Sequence, residues 1–168
     1  MDFFITEINK ICMENKKVAM FIDMDGTIVN YPVYLKGTIS NTTSGKFINE
    51  KPIKLIIDKL EEISKINNID LYILTLSKNS IIVEEKKEWL KKNINYITPN
   101  RWIILDKQKG EYNSDNRDYV KAWKMKEIKE KYNYDKVILL DDDHEILKTT
   151  LNELKENSKV YHISTAII

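Results

Sequence analysis

The stretch Val18-Ala19-Met20-Phe21-Ile22-Asp23-Met24-Asp25-Gly26-Thr27 decides the fold. Its first five residues form an unbroken apolar run, the pattern of a parallel strand covered on both faces. Two carboxylates follow at i and i+2, a spacing that sends both side chains to the same side of an extended chain. Gly26 then frees the backbone to turn away sharply, which leaves the acids exposed at the strand's carboxyl end.

The same two periods continue on either side. Phe4, Ile5, Ile8, Ile11 and Cys12 fall at helical spacing and predict an amphipathic helix within residues 1–16. Downstream, Pro52 is placed as a first-turn proline, and Ile53, Ile56, Ile57, Leu60 and Ile63 repeat as one helix face. Ile69 to Leu76 predicts a second strand, and Ser80 to Asn93 a helix with Glu84 and Glu85 near its start. Trp102 to Leu105 predicts a third strand, while Asp106 to Asp118 shows neither period and reads as a loop. A helix from about Tyr119 to Tyr132 and a buried strand over Val137–Leu140 come next. A helix carrying Ile146, Leu147, Thr150, Leu151 and Leu154 and a strand over Val160–Ile163 complete the pattern.

Strands alternating with helices predict an α/β fold, a doubly wound, Rossmann-like parallel sheet of about five strands with helices on both faces. In such sheets ligands bind beyond the carboxyl ends of the strands, where strand order reverses. The chain has 168 residues and 42% hydrophobic content, with no internal repeat and no Pro/Gly/Ser linker, so residues 1–168 are expected to form one domain.

Lys and Arg number 27 against 26 for Asp and Glu. That balance offers no long-range field to gather nucleic acid or anionic lipid, so an anionic substrate must be held by local chemistry. The single cysteine, Cys12, can form no internal disulfide, and Asp2, Glu7 and Lys10 interrupt the region where a signal peptide needs an apolar run. A cytoplasmic protein with no membrane role is expected, since no apolar stretch approaches the roughly 20 residues of a spanning helix.

A hydrophobic strand followed by Asp-x-Asp-Gly-Thr and a turn resembles the haloacid dehalogenase (HAD) superfamily of phosphoryl-transfer enzymes, whose first motif Asp23–Thr27 matches at every defining position. The resemblance implies a threonine or serine at the end of the second strand, supplied by Thr75 in Leu71-Tyr72-Ile73-Leu74-Thr75, with a hydroxyl able to donate to a phosphoryl oxygen. It implies an acidic cluster after a later strand, supplied by Val137-Ile138-Leu139-Leu140-Asp141-Asp142-Asp143. The cofactor implied is Mg²⁺, a hard cation suited to oxygen ligands, held by Asp23, Asp141 and the carbonyl of Asp25, with Asp142 behind them or as an additional ligand. Asp143 is equally suited to cap the following helix. Thr27 and Ser77 are candidate substrate contacts beside these motifs.

The resemblance also calls for a lysine, for which Lys107, Lys109, Lys121 and Lys124 compete. Lys121 continues the stripe Lys121, Met125, Ile128 and Tyr132 and so points inward at the end of its helix, with Lys124 as the alternative. The implied mechanism is attack by Asp23 on phosphorus to give an aspartyl phosphate, with Asp25 protonating the departing oxygen and later activating water.

Residues 28–51, among them Tyr31, Tyr34, Gly37 and Gly45, suffice for a minimal flap and are too few for a large cap domain. An open site suits a bulky phosphorylated substrate such as a nucleic-acid end. The order of the acidic motifs, a Pro52-led helix, Thr75, a helix carrying Trp89, Arg117-Asp118-Tyr119-Val120-Lys121 and Asp141-Asp142 is similar to the phosphatase domain of bacteriophage polynucleotide kinase-phosphatase, which removes 3′ phosphates from nucleic acids. The deoxyribonucleotidase branch fits comparably, and would imply a 5′(3′)-nucleotidase acting on nucleoside monophosphates. The near-zero net charge weighs mildly against a nucleic acid. A catalytically silent phospho-ligand binder is the alternative of a different class, and Asp25 speaks against it because a binder needs no general acid. Tyr31, Tyr34 and Trp102 are candidates to stack on a base or, more ordinarily, to fill the core. His144 and His162 read as structural, and Lys86, Lys87, Lys91 and Lys92, alternating with glutamates, as a solvated helix face.

Overall fold

The computed structural model describes residues 2–31 and 47–168. The apolar run is the central strand, β1 (Val18–Ile22), and all five of its side chains are buried. It pairs in parallel with both β2 (Ile69–Ser77) and β4 (Lys136–Asp141), with Ile22 opposite Ile73 on one side and Leu140 on the other. β3 (Trp102–Asp106) and β5 (Ser158–His162) add at the edges, giving a five-stranded parallel sheet in the order β3-β2-β1-β4-β5. The chain runs outward from β1 in one direction, then returns to β4 and runs outward in the other. The reversal falls between β1 and β4, which is where a doubly wound sheet opens a crevice.

Among the described residues five α-helices cover the sheet: α1 (Phe3–Glu14), α2 (Lys54–Ile63), α3 (Ser80–Asn93), α4 (Val120–Tyr132) and α5 (His144–Leu154). Alternation along the strands divides the core in two. Val18, Met20 and Ile22 pack with Phe4 and Ile8 of α1, Ile56 and Leu60 of α2, and Trp89 and Leu90 of α3. Ala19 and Phe21 pack on the other face with Val120 and Met125 of α4 and Ile146, Leu147 and Leu154 of α5. No helix among the described residues is long and apolar enough to cross a membrane.

The expected strands and helices are all present, with ends displaced by one to two residues, as β2 runs on to Ser77 and β3 to Asp106. One assignment changes. Pro52 is not in the first turn of α2. It lies before the cap residue Ile53 and bridges antiparallel to Val29. The Ile53 N–H donates to the Ile28 carbonyl at 2.8 Å and the Asn30 N–H to the Lys51 carbonyl at 2.8 Å, so the two legs of the 28–51 segment are stitched together at their base. Trp102 takes the more ordinary of its two expected uses: it packs against the core and its indole N–H donates to the Ile97 carbonyl at 3.0 Å. Tyr34, Gly37 and Gly45 of the expected flap lie outside the described residues.

Trp89 ties α3 to the chain before α2: it is fully buried and its Nε1 donates to the Glu50 carbonyl at 2.8 Å. Truncating so large a core side chain leaves a cavity. Trp89→Ala is therefore expected to lower stability by about 3–5 kcal/mol in chemical denaturation, and a change under about 1 kcal/mol would contradict this account of the core.

Candidate active site

The site is assembled from the ends of β1, β2 and β4. The Asp23 N–H donates to the Leu140 carbonyl at 3.0 Å, which extends the β1–β4 ladder by one residue and sets Asp23 beside Asp141, the last residue of β4. Asp23 keeps the alternation of its strand and points to the face covered by α4. There Lys121, in the first turn of α4 and almost completely buried, donates to Asp23 Oδ1 at 2.7 Å and to Asp141 Oδ2 at 2.6 Å. Burial and the neighbouring Asp141 charge push the Asp23 carboxyl above its ordinary range, with Lys121 acting against them. Burial alone would lower the Lys121 ammonium, but Asp141 and Asp23 outweigh it and the group is pushed up.

After Asp23 the chain leaves strand geometry. The N–H groups of Thr27, Ile28 and Val29 all converge on the Met24 carbonyl, and Gly26 takes a left-handed φ of 77°. A Cβ at Gly26 would stand 2.3 Å from Asp142 Oδ2, so glycine here serves both the turn and the close approach of Asp142. The turn also modifies the expectation that Asp23 and Asp25 share a side. Both line one cleft of about 500 Å³, yet their partners come from opposite faces of the sheet. Asp25 Oδ2 accepts from Lys86 of α3 at 2.7 Å.

Lys86 overturns its assignment to a solvated face, since its side chain is buried and only Lys87 and Lys91 make the exposed i,i+3 pairs with Glu84 and Glu88. The signal was present in the sequence. Ile82, Val83, Lys86, Trp89 and Leu90 are the buried residues of α3 and repeat at helical spacing, with Lys86 inside the stripe. Besides Asp25, its ammonium donates to Thr75 Oγ1 and to the Leu76 carbonyl, each at 2.8 Å.

Asp23, Asp141 and Asp142 each offer an oxygen within 4.8 Å of the others. Asp142 is pushed up to about 7 by loss of water and by the charges of Asp23 and Asp141. When all three are ionised, these carboxylates exceed the one ammonium of Lys121 by two negative charges. An all-oxygen donor set with that deficit fits a hard divalent cation. Asp25 is outside this cluster by its carboxylate. Asp143 is outside it too: Oδ1 caps α5 by accepting from the Glu145 and Ile146 N–H groups, and Oδ2 accepts from Arg117 at 2.8 Å. Burial would raise the Asp143 carboxyl, but Arg117 and the cap hold it low.

The remaining candidates are placed as follows. The buried Thr27 hydroxyl donates to Asp23 Oδ2 at 3.4 Å, and Thr75 is buried under Lys86. Ser77 is buried, its Oγ has no hydrogen-bond partner among the described residues, and its carbonyl accepts from the Tyr112 hydroxyl at 3.0 Å. Tyr31 lines the cleft and is half exposed, and burial with the charges of Asp25 and Asp142 pushes its phenol up. Lys124 pairs with Glu127 and Lys107 with the Ser114 hydroxyl, so Lys121 is the one among the sequence candidates that reaches the acids. Lys78, Tyr112 and Arg117 also line the cleft, although none was singled out for a role from sequence. His162 and His144 stack with ring centroids 4.5 Å apart, and His162 Nε2 lies 3.1 Å from the Asp142 carbonyl.

No protein-family model matches the chain, and no curated protein matches it by sequence. Solved structures share the fold. A chain from the structure of the Pnkp1/Rnl/Hen1 RNA repair complex superposes with a TM-score of 0.57 at 18% identity, over 87% of this chain and 42% of that one. A chain from a second Pnkp1/Rnl/Hen1 complex gives 0.56 at 19% identity, over 86% of this chain and 46% of that one. This chain thus spans less than half the length of those two. The HAD domain of effector protein Lem4 from Legionella pneumophila gives 0.49 at 14% identity, over 88% of this chain and 87% of that one.

The raised Asp142 carboxyl has a pH signature. The folded protein without metal holds a proton that the unfolded chain, at the ordinary value of 3.8, has released. The contribution of this group to stability therefore falls as pH rises from about 4 through about 7, and the Asp23 shift has the same sign. Metal-free protein is expected to melt at steadily lower temperature between about pH 5 and about pH 8, with Asp142→Asn flattening the slope and Mg²⁺ restoring the melting temperature at the upper end. A melting temperature insensitive to Mg²⁺ at about pH 8 would contradict the assignment of the acidic cluster.

Proposed function

We propose that this chain is a Mg²⁺-dependent phosphomonoester hydrolase of the HAD kind, with Asp23 as the attacking carboxylate. The observation that carries the reading is the buried bridge from Asp23 through Lys121 to Asp141 at the mouth of β1 and β4. It pairs a nucleophile with a fixed positive charge beside a cluster suited to a cation. Asp23, Asp141 and Asp142 would hold Mg²⁺, with the Asp25 carbonyl as a further ligand implied by the family resemblance. When bound, the ion supplies charge neutralisation for a phosphoryl group that would otherwise meet five aspartates lining the cleft.

In this mechanism Asp23 attacks phosphorus in line and the bond to the leaving oxygen breaks. Asp25 gives that oxygen its proton, then takes one from the water that cleaves the aspartyl phosphate. Lys121 stays protonated and offsets the charge that gathers between Asp23, Asp141 and the phosphoryl oxygens. The Thr75 hydroxyl accepts from Lys86, so its own proton is free to be donated toward the phosphoryl group. Thr27 and Ser77 are retained as neighbours that shape the phosphoryl pocket.

A nucleic-acid end bearing a 3′ phosphate is the substrate class favoured, on the ordering of the motifs and on the fold shared with chains of an RNA repair complex. A nucleoside monophosphate is the second candidate. The test is to incubate the protein with Mg²⁺ and, in parallel, a 3′-phosphorylated oligonucleotide, nucleoside monophosphates, a phosphopeptide and an aryl phosphate. Asp23→Asn is expected to lose about a thousandfold or more of phosphate release with its melting temperature preserved. The oligonucleotide is expected to be the best substrate. Preference for monophosphates would make the chain a nucleotidase, and no release from any ester would leave a phospho-ligand binder.

A further inference from the structure

Lys86 is a charged side chain in a place where an apolar one would pack without electrostatic cost. It is 1% exposed, and the ring of the buried Phe47 lies 5.3 Å from its ammonium. Burying an ammonium is tolerated only when its donors are satisfied and its charge is paired. Here the count closes: three N–H donors meet Asp25 Oδ2, Thr75 Oγ1 and the Leu76 carbonyl. No donor is left over for a substrate. Any effect of Lys86 on chemistry must pass through the groups it holds.

Two of those groups belong to the machinery proposed above. The ammonium occupies Oδ2 of Asp25, so exchange of a proton with the leaving oxygen falls to Oδ1. It also donates to one lone pair of the Thr75 hydroxyl, which leaves that hydroxyl's own proton to be donated elsewhere. The third bond, to the Leu76 carbonyl, anchors the ammonium to the end of β2 itself. We propose that Lys86 is a positioning residue that locks Asp25 and Thr75 into one unit, aiming the acid at the leaving oxygen and the hydroxyl at the transferring phosphoryl group. The inference rests on the phosphatase reading and assigns within it a residue outside the acidic motifs. As the bond from phosphorus to the leaving oxygen breaks, the proton passes from Asp25 to that oxygen. The carboxylate left behind is paired with the Lys86 ammonium, which keeps its own three protons throughout.

A residue that acts through a general acid matters most where the leaving group needs a proton. The informative quantity is kcat/KM, which reports phosphoryl transfer to Asp23 up to leaving-group departure, measured for an alkyl phosphate and for dinitrophenyl phosphate. The dinitrophenolate departs without protonation. Lys86→Met is expected to lose about 100-fold or more on the alkyl ester and less than about tenfold on the dinitrophenyl ester, with the Mg²⁺-induced rise in melting temperature unchanged. Asp25→Asn should give the same pattern, and on the alkyl ester the double variant should fall below Asp25→Asn alone by less than about tenfold, the share that passes through Thr75. Should Lys86→Met fail to fold, Lys86→Gln, shorter by one bond but still an N–H donor, takes the same test. Equal loss on both esters in a folded variant, additive loss in the double variant, or no loss at all would overturn the assignment. If wild-type protein hydrolyses neither ester, the phosphatase reading itself fails, an outcome distinct from these.

Discussion

The structure depends on how two carboxylates can be buried side by side. The parallel pairing of β1 with β4 puts Asp23 and Asp141, both buried, at adjacent strand ends, where burial and the neighbouring Asp141 charge work against the ionised form of Asp23. The Lys121 ammonium between them, bonded to each, makes the arrangement tenable. Breaking a buried group of this kind by removing one partner costs on the order of 3–5 kcal/mol, while well-packed apolar replacements are often neutral or stabilising. Stability therefore gives no reason to keep three charges in the crevice, a reason that the proposed phosphoryl transfer would supply.

A second cation repeats the device from the other face of the sheet. Lys121 descends from α4 and Lys86 rises from α3, so each member of the Asp23/Asp25 pair has a lysine of its own and the two lysines approach from opposite layers. The sharp turn at Gly26 makes this division, because it rotates Asp25 out of the alternation that Asp23 still obeys. The result is a graded field: Asp23 faces Lys121 and the carboxylates of Asp141 and Asp142, while Asp25 faces Lys86 and Thr75. Two chemically identical side chains two residues apart are thereby given different environments, the division that the proposed pairing of a nucleophile with an acid–base group requires.

Legibility in the sequence followed the physics of burial. β1 could be read because a strand covered on both faces must be apolar throughout, and the acidic ends of β1 and β4 because carboxylates after such runs have few structural uses. Lys121 was found because its stripe with Met125 could be traced, although that helix is polar on most sides. Lys86 was lost for the opposite reason. Its neighbours Lys87, Lys91 and Lys92 are surface residues among glutamates, and the charge run hid the fact that Lys86 shares a face with Trp89 and Leu90. Pro52 misled because its fixed φ suits a first turn equally well as the bridge to Val29, and only the hydrogen bonds of Asn30 and Ile53 distinguish the two. The caps were partly legible: Asp143 had two uses open to it, and Arg117 with the α5 N–H groups decides for the cap.

The central claim is that Asp23 takes the phosphoryl group onto its own carboxylate. The direct measurement is acid quenching of the protein during turnover with Mg²⁺ and its best phosphate ester, followed by mass spectrometry of the peptide spanning Val18 to Thr27. The account predicts one phosphoryl group on Asp23, absent from Asp23→Asn and lost from the wild type when substrate is exhausted. A phosphoryl group on any other residue, or continued phosphate release by Asp23→Asn, would contradict it.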